Sequence, residues 1–210
     1  MTQSFRKMSI PALAITGMAL VGAVVLASNI ATFNLTINAG SLGIDIVDAA
    51  YATVASPVVA FAPVNASMTS VTSAATLGTP TEQILVSNPD AADNGWTVSI
   101  GSTGSKWQDA GNTVNFAYNS NVATNGQLAI NPSVATFVNG KSTAGFTGIS
   151  TGSASNFSST VSSITLLDAD ATSADIGDWT LQGVALSQTI PAMQAAAAYS
   201  LPMTITVAAK

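Results

Sequence analysis

The sequence predicts an all-β protein: an antiparallel β-sandwich of about ten short strands, jelly-roll or Ig-like, preceded by an N-terminal hydrophobic signal or anchor helix. Apolar and polar residues alternate through much of the chain, which is the period of a half-buried strand. Clusters of Gly, Pro, Asn and Asp separate these stretches. Charged residues make up only 7% of the chain, whereas helical bundles are rich in Glu, Lys and Arg. At 210 residues, the prediction is one domain, residues 28–210, behind the leader.

The leader comprises residues 1–27. Arg6 and Lys7 precede a run without charge whose most apolar part is residues 10–27. A basic start, an apolar middle and a small-residue exit are typical of a secretory signal, with cleavage after Ala27. An uncleaved anchor is the alternative, because the run is just long enough to span a bilayer with its basic end inside. Both interpretations predict a secreted or cell-surface protein that meets the membrane only through this segment.

The central prediction is a hairpin over residues 82–100. Ile84 and Val86 alternate with polar neighbours before a dense turn cluster, and Trp96 begins the same alternation after it. The cluster ends in Asn94-Gly95, where a positive φ is readily adopted. A second hairpin is predicted near the N-terminus, where apolar residues alternate on both sides of residues 39–41: Phe33, Leu35, Ile37, Leu42, Ile44 and Ile46.

The remaining elements follow in chain order. Residues 51–64 predict an edge strand, because Pro57 and Pro63 interrupt it. Residues 65–81 predict a loop or weak strand, and residues 141–160 predict a long exposed loop or a poorly packed edge. Short strands are predicted around residues 114–118, 128–130, 134–138, 161–166 and 179–186. Residues 193–198 predict one helical turn, and the alternation from Tyr199 to Val207 predicts a last strand.

The missing residue types exclude several kinds of chemistry. The chain has no His and no Cys. It therefore lacks the commonest general base, the commonest metal ligand, a thiol nucleophile and any disulfide. A Ser–Lys pair using Lys106 or Lys141 has no supporting motif, so we expect no enzymatic activity. Without Arg6 and Lys7, three Lys face ten acidic residues, which argues against a nucleic-acid partner.

Four carboxylates form the best candidate for a metal site: Asp168, Asp170, Asp175 and Asp178. Carboxylates this close in sequence repel one another, and a hard cation such as calcium would relieve that repulsion. The alternative is a solvated acidic loop that keeps an otherwise uncharged surface soluble. No other cofactor is predicted.

The three Trp residues are the aromatic candidates. Trp96 and Trp179 occupy strand positions beside other apolar residues, which predicts burial in the core. Trp107 lies beside Lys106 in a polar segment. For Trp107, glycan stacking and core packing are both open.

Three segments resemble the WxL type of bacterial surface protein: Asn94-Gly95-Trp96-Thr97-Val98-Ser99, Gly177-Asp178-Trp179-Thr180-Leu181, and the tail over residues 188–207. The resemblance implies a β-sandwich that attaches to peptidoglycan. The chain departs from that family on its last strand, where Met203-Thr204-Ile205 stands in place of a second Trp-x-Leu motif. The order of leader, early hairpin and sandwich is also similar to the TasA and camelysin group of secreted, fibre-forming proteins.

These observations predict a non-catalytic, exported structural protein that polymerises into a fibre, a pilus-like filament or a surface layer. The expected partners are further copies of the chain or cell-envelope components. We expect the uncharged residues 28–37, once freed by cleavage, to add as a strand to a neighbour's sheet edge. The alternative function is a module that binds wall glycan or another carbohydrate through its Trp residues.

Overall fold

The computed structural model describes residues 34–38, 40–89, 94–104, 106–142, 145–173 and 176–210; the predicted leader lies outside them. Ile37–Lys210 form one compact unit. The described residues contain no α-helix, only two short 3₁₀ helices at Ala123–Asn125 and Pro132–Val134. The predicted all-β, antiparallel class is confirmed.

The strands are β1 (Gly43–Val47), β2 (Val71–Leu77), β3 (Gln83–Asn88), β4 (Trp96–Ser102), β5 (Lys106–Gln108), β6 (Asn115–Ala117), β7 (Gln127–Asn131), β8 (Thr136–Asn139), β9 (Ile149–Thr151), β10 (Ser155–Asn156), β11 (Ser163–Ala169), β12 (Gly177–Gln182), β13 (Val184–Ile190) and β14 (Met203–Ala209).

The first layer consists of two four-stranded sheets, in the orders β1-β3-β12-β8 and β10-β7-β13-β2. The two sheets are successive halves of the same strands. The chain passes from β2 into β3 and from β12 into β13, with β3 pairing with β12 and β2 with β13. A single bent ribbon therefore runs through both sheets.

The bend in this layer lies at Gly78 and Gly183. Both have positive φ, +79° and +80°, and the Gly183 N–H donates to the Gly78 carbonyl at 2.8 Å. The core-facing positions change parity across Gly183, from Trp179 and Leu181 to Val184 and Leu186. One extra residue in a strand produces this change and bends the sheet.

The second layer is one four-stranded sheet in the order β14-β4-β11-β9. Its strand β11 carries a bulge between Thr165 and Leu167, and as a result Leu166 and Leu167 are both fully buried. The core forms where the two layers face each other. Trp96 of the second layer and Trp179 of the first lie 5.6 Å apart by ring centroids, and both are buried, which confirms the prediction for these two residues.

The prediction of a central hairpin is wrong, although both of its strands form. Strand β3 pairs with β1 and β12, whereas β4 pairs with β11 and β14 in the other layer. The alternation places one face of each strand in the core, and strands on opposite sides of a sandwich satisfy it as well as neighbours do. Alternation therefore located the strands without identifying their partners.

Several other local predictions are corrected. Of the N-terminal hairpin only β1 forms; residues 34–38 belong to no strand, and Phe33 lies outside the described residues. Residues 51–64 form no strand. Of the two alternatives for residues 65–81, the strand forms, as β2. Of the two alternatives for residues 141–160, the edge forms, because β9 and β10 each lie at the end of a sheet. Residues 193–198 form no helical turn, because Met193 has φ +59° and its N–H donates to the Ser67 carbonyl.

Across the part of the chain described, no helix is both long and apolar enough to cross a membrane.

Candidate functional site

A groove of about 880 Å³ lies on the side of the sandwich where β1 and β14 lie. Ile44 and Ile46 of β1 line it from the first layer, and Met203 and Ile205 of β14 line it from the second. Core residues of both layers reach into it: Leu77, Ile100, Leu128 and Leu186. The half-buried side chains of β1 and β14 thus line the groove at one margin of the core, above core residues that are themselves buried.

Residues 51–64 contribute one wall of the groove without forming a strand. The Val54 N–H donates to the Ile46 carbonyl at 2.8 Å, and the Val58 N–H donates to Glu82 Oε1 at 3.2 Å. Ala62 is held to β2 by its own N–H and by the Ser73 hydroxyl. These few bonds cover part of the first layer's edge.

A smaller cavity of about 370 Å³, which we call the aromatic pocket, adjoins the groove. Strands β5 and β6 pair so that Trp107 lies opposite Phe116, with the two rings stacked at 6.1 Å. Phe61 meets the Trp107 ring edge-on at 5.4 Å, and Trp107 Nε1 donates to Gln188 Oε1 at 2.7 Å. The pocket and the groove share Phe61, Trp107 and Tyr199 in their linings, and we call the two adjoining cavities together the cleft.

Asp109 holds the β5–β6 turn that positions Trp107. Its carboxylate accepts hydrogen bonds from the Thr113 N–H, the Thr113 hydroxyl and the Val114 N–H. The bond from Val114, followed by those from Thr113, keeps the pKa of Asp109 below its ordinary value. The lowered pKa favours the ionised carboxylate, which is the better hydrogen-bond acceptor.

Strand β14 forms an edge of the second layer. It pairs along its seven residues with β4, and none of the strands described pairs with its other side. Met203, Ile205 and Val207 are half-buried, while Thr204 and Thr206 are exposed. A sheet edge of this length is a template for a further strand.

The short stretch before β1 carries exposed apolar side chains. Leu35 is 85% exposed and Ile37 is 87% exposed. Neither belongs to a strand.

The prediction that Asp168 and Asp178 belong to one acidic loop is wrong. Asp168 lies on β11 and Asp178 on β12, in opposite layers, and Asp175 lies outside the described residues. Asp168 is paired with Lys210 at 2.8 Å and accepts from the Thr97 hydroxyl, and the hydrogen bond from Lys210 is the main cause of its lowered pKa. Asp170 accepts from the N–H and hydroxyl of Thr172, and these bonds lower its pKa.

Asp178 accepts from the Lys141 and Ser142 N–H groups at 2.7 and 2.6 Å. Burial raises the pKa of Asp178, but hydrogen bonds from the Ser142 side chain and from both N–H groups outweigh burial and leave it below the ordinary value. Within the described ranges, no three acidic side chains converge on a common point. Calcium binding stays a prediction. A melting temperature raised by calcium in the parent chain, but not in Asp178→Asn, would support it.

Trp107 is half-buried, and two phenylalanines already contact its ring. Its edge lines the cleft, so the glycan-stacking prediction stays open. Sequence reasoning missed the cleft, because Phe61, Trp107 and Tyr199 are distant in the chain. One part of the cleft could have been found from the sequence. Trp107 and Phe116 lie on either side of the turn formers Asp109, Gly111 and Asn112, a pattern that predicts a hairpin.

No known protein family matches the chain, and no curated protein and no solved structure matches it. The resemblance to the WxL type and to the TasA and camelysin group therefore stays a prediction.

Proposed function

We propose that this chain is a non-catalytic, exported structural subunit that assembles into an extracellular fibre, pilus-like filament or surface layer. The link between subunits is strand addition by the segment that precedes β1. The observation that carries the proposal is the combination, in one chain, of an exposed apolar segment and an open apolar groove beside an unpaired strand edge.

The segment has the properties of a donor strand. Residues 28–37 contain no charged residue, and Leu35 and Ile37 are almost fully exposed. Burying two such side chains is worth roughly 3–6 kcal/mol. Main-chain hydrogen bonds to the edge would add affinity without demanding a particular sequence.

The groove has the properties of an acceptor. It lies beside β14, which has one unpaired side among the described strands, and core residues line its floor. An added strand would cover the half-buried side chains of Met203 and Ile205 and continue the sheet. Joining the segment of one copy to the groove of the next is a head-to-tail contact, which propagates into a filament when the rotation does not close.

The test is electron microscopy of the secreted protein purified from its host, compared with a variant that lacks residues 28–37. We expect filaments or sheets from the parent chain and dispersed subunits from the deletion. A matched pair refines the test: Leu35→Thr with Ile37→Thr removes the apolar side chains, whereas Asn34→Thr with Asn38→Thr keeps them. Filaments from the deletion would overturn strand addition, and a parent protein that stays monomeric at all concentrations would overturn the structural role.

A second function, binding of wall glycan, rests on the half-buried Trp107 in the cleft. Retention by isolated cell wall that is lost in Trp107→Ala and kept in Trp107→Phe would favour it. Retention that is independent of Trp107 would exclude this site.

A further inference from the structure

We propose that the aromatic pocket binds a small, uncharged aromatic molecule that carries one neutral polar group, such as a hydroxyl or an amide. The lining comes from three stretches of the chain, residues 61–73, 107–116 and 188–199. The proposal is therefore independent of residues 28–37 and of strand addition. It goes beyond the proposed function by assigning a class of ligand to a cavity within one subunit.

Four aromatic rings border the pocket and contact one another in a row: Phe61, Trp107, Phe116 and Tyr199. The first two rings are nearly perpendicular, at 87°, the middle two are nearly parallel, at 15°, and the last two meet at 74°. Aromatic pairs are favourable both edge-to-face and offset-stacked, beyond the apolar area that they bury. Because rings in two orientations border one cavity, an aromatic guest is favoured over an aliphatic guest of equal size.

The lining of the pocket contains no charged residue. A carboxylate or an ammonium group would lose its water there without gaining an ion pair, which is unfavourable. The volume of about 370 Å³ exceeds the lower bound for pockets that enclose small molecules, about 300 Å³. The pocket therefore favours an uncharged guest of small-molecule size.

The polar side chains beside the rings are already paired. Gln188 is only 2% exposed; its Oε1 accepts from Trp107 Nε1, and its Nε2 donates to the Thr189 carbonyl. The Tyr199 hydroxyl donates to the Ala195 carbonyl. A sugar carries several hydroxyls, and these paired side chains would leave many of them without partners. A guest with few polar groups fits the pocket better.

Asn65 is the exception among the polar side chains of the lining. It is exposed and makes no hydrogen bond with the residues that the structure describes. Its side-chain amide both donates and accepts hydrogen bonds. Sites for small molecules combine apolar walls with a few polar groups that fix the orientation of the ligand. The polar group of the ligand therefore pairs with Asn65.

Backbone hydrogen bonds between distant parts of the chain connect the walls of the pocket. The Met193 N–H donates to the Ser67 carbonyl at 2.7 Å and joins the two stretches that carry no strand. Gln108 and Ser200 exchange two backbone hydrogen bonds, of 3.0 and 2.9 Å, which join β5 to the residues before β14. The fold itself thus fixes the walls relative to one another, and a preorganised site binds without the cost of ordering them.

Calorimetric titration of the secreted full-length protein tests the class of ligand. The probe is 2-naphthylmethanol, for which we expect saturable binding of one molecule per chain. Its saturated analogue, decahydro-2-naphthylmethanol, should bind about 2- to 10-fold more weakly, because it makes no aromatic pairs. The anion 2-naphthoate should bind at least about tenfold more weakly than the alcohol, because the lining offers it no cation. Equal affinities for the alcohol and its saturated analogue would overturn the aromatic class.

Two matched pairs of substitutions locate the site. Ala197→Trp places a bulky side chain in the lining and should abolish binding, whereas Ala123→Trp, at an exposed position outside the pocket, should not. Phe61→Leu removes one ring of the pocket and should weaken binding of the alcohol about 2- to 10-fold. Phe137→Leu is its control, because that half-buried ring pairs with Phe146 away from the pocket. Binding that survives Ala197→Trp would overturn the pocket as the site.

Asn65→Ala tests the polar group of the ligand. It should weaken binding of 2-naphthylmethanol more than that of 2-methylnaphthalene, because only the alcohol has a hydroxyl to lose its partner. Equal weakening of the two would overturn the role of Asn65.

The remaining outcomes separate this proposal from the two functions considered above. Displacement of the alcohol by an oligomer of N-acetylglucosamine would overturn the aromatic class in favour of wall glycan. Saturable binding of none of the naphthyl probes would overturn the site altogether. Filament formation enters neither result, so failure of this proposal leaves assembly by strand addition standing, and a chain that forms no filament leaves the pocket to be judged by titration alone.

Discussion

At the scale of single residues, the two Trp residues that bridge the layers differ in one hydrogen bond. Trp179 Nε1 donates to the Gly145 carbonyl at 3.0 Å. Trp96 Nε1 is buried and has no acceptor among the residues described. A buried donor without an acceptor costs free energy that a well-paired one does not.

This difference predicts unequal effects of the same substitution. Trp179→Phe should lower the free energy of unfolding by about 1–2 kcal/mol more than Trp96→Phe, because only the former strands a carbonyl that had a donor. Urea denaturation of both variants measures it. Equal losses would show that the indole N–H of Trp96 also finds a partner.

The lowered pKa of Asp178 predicts how the free energy of unfolding changes in acid. Its pKa is lower in the folded state than the value of about 3.9 expected for the unfolded chain. Its stabilising contribution is therefore complete above that value and is lost as pH falls through the folded-state pKa. Asp178→Asn should lower the free energy of unfolding at pH 7 by about 1–2 kcal/mol, and the loss should shrink toward pH 2. A loss independent of pH would mean that the charge is not involved.

At the scale of elements, the bend in the first layer depends on two glycines with different surroundings. A Cβ on Gly78 would meet the Leu181 carbonyl oxygen at 2.7 Å, whereas a Cβ on Gly183 would meet nothing within 4 Å. Both residues have positive φ, which costs any L-residue about 1–2 kcal/mol.

Gly183→Ala should therefore cost only this backbone strain, about 1 kcal/mol. Gly78→Ala should cost at least about 2 kcal/mol, because the clash with backbone adds to the strain. Thermal unfolding of the two variants gives the comparison directly. A cost at Gly183 equal to that at Gly78 would contradict the role of the close contact.

Elements also show where sequence reasoning succeeded. Four strands could be predicted from the sequence: β3, β4, β12 and β14. In each of them large apolar residues alternate strictly with polar ones, which is the pattern of a half-buried strand. Strand β2 could be predicted only as an alternative to a loop, because its inward positions, Ser73, Ala75 and Leu77, are mostly small or polar. The helical turn at residues 193–198 was wrong because a long-range hydrogen bond from the Met193 N–H to the Ser67 carbonyl outweighs the helix propensity of the Ala residues.

At the scale of the whole molecule, the sandwich is covered unevenly. Trp96 and Trp179 pack against each other within the core, and half-buried side chains of β1 and β14 line the groove at its margin. Under the proposed function, assembly completes the core of each subunit with a segment of its neighbour.

Assembly should therefore stabilise the fold. Filaments should unfold at a higher temperature than dispersed subunits, because whatever binds only the folded state raises its stability. The variant without residues 28–37 should melt like the dispersed parent, since the exposed Leu35 and Ile37 contribute little to the subunit. Calorimetry of the three samples provides the test, and a large drop for the deletion alone would show that the segment stabilises its own subunit.

By itself, the sequence determined the all-β class, the burial of Trp96 and Trp179, and the absence of His and Cys chemistry, because composition and two-residue periodicity are local properties. Only the tertiary structure decided which strands pair, that β3 and β4 face each other across the core, and that Phe61, Trp107 and Tyr199 meet in one cleft. Periodicity states which face of a strand is buried but not what buries it. The partner depends on contacts between residues far apart in the chain, and the open groove exists only where those contacts leave the core uncovered.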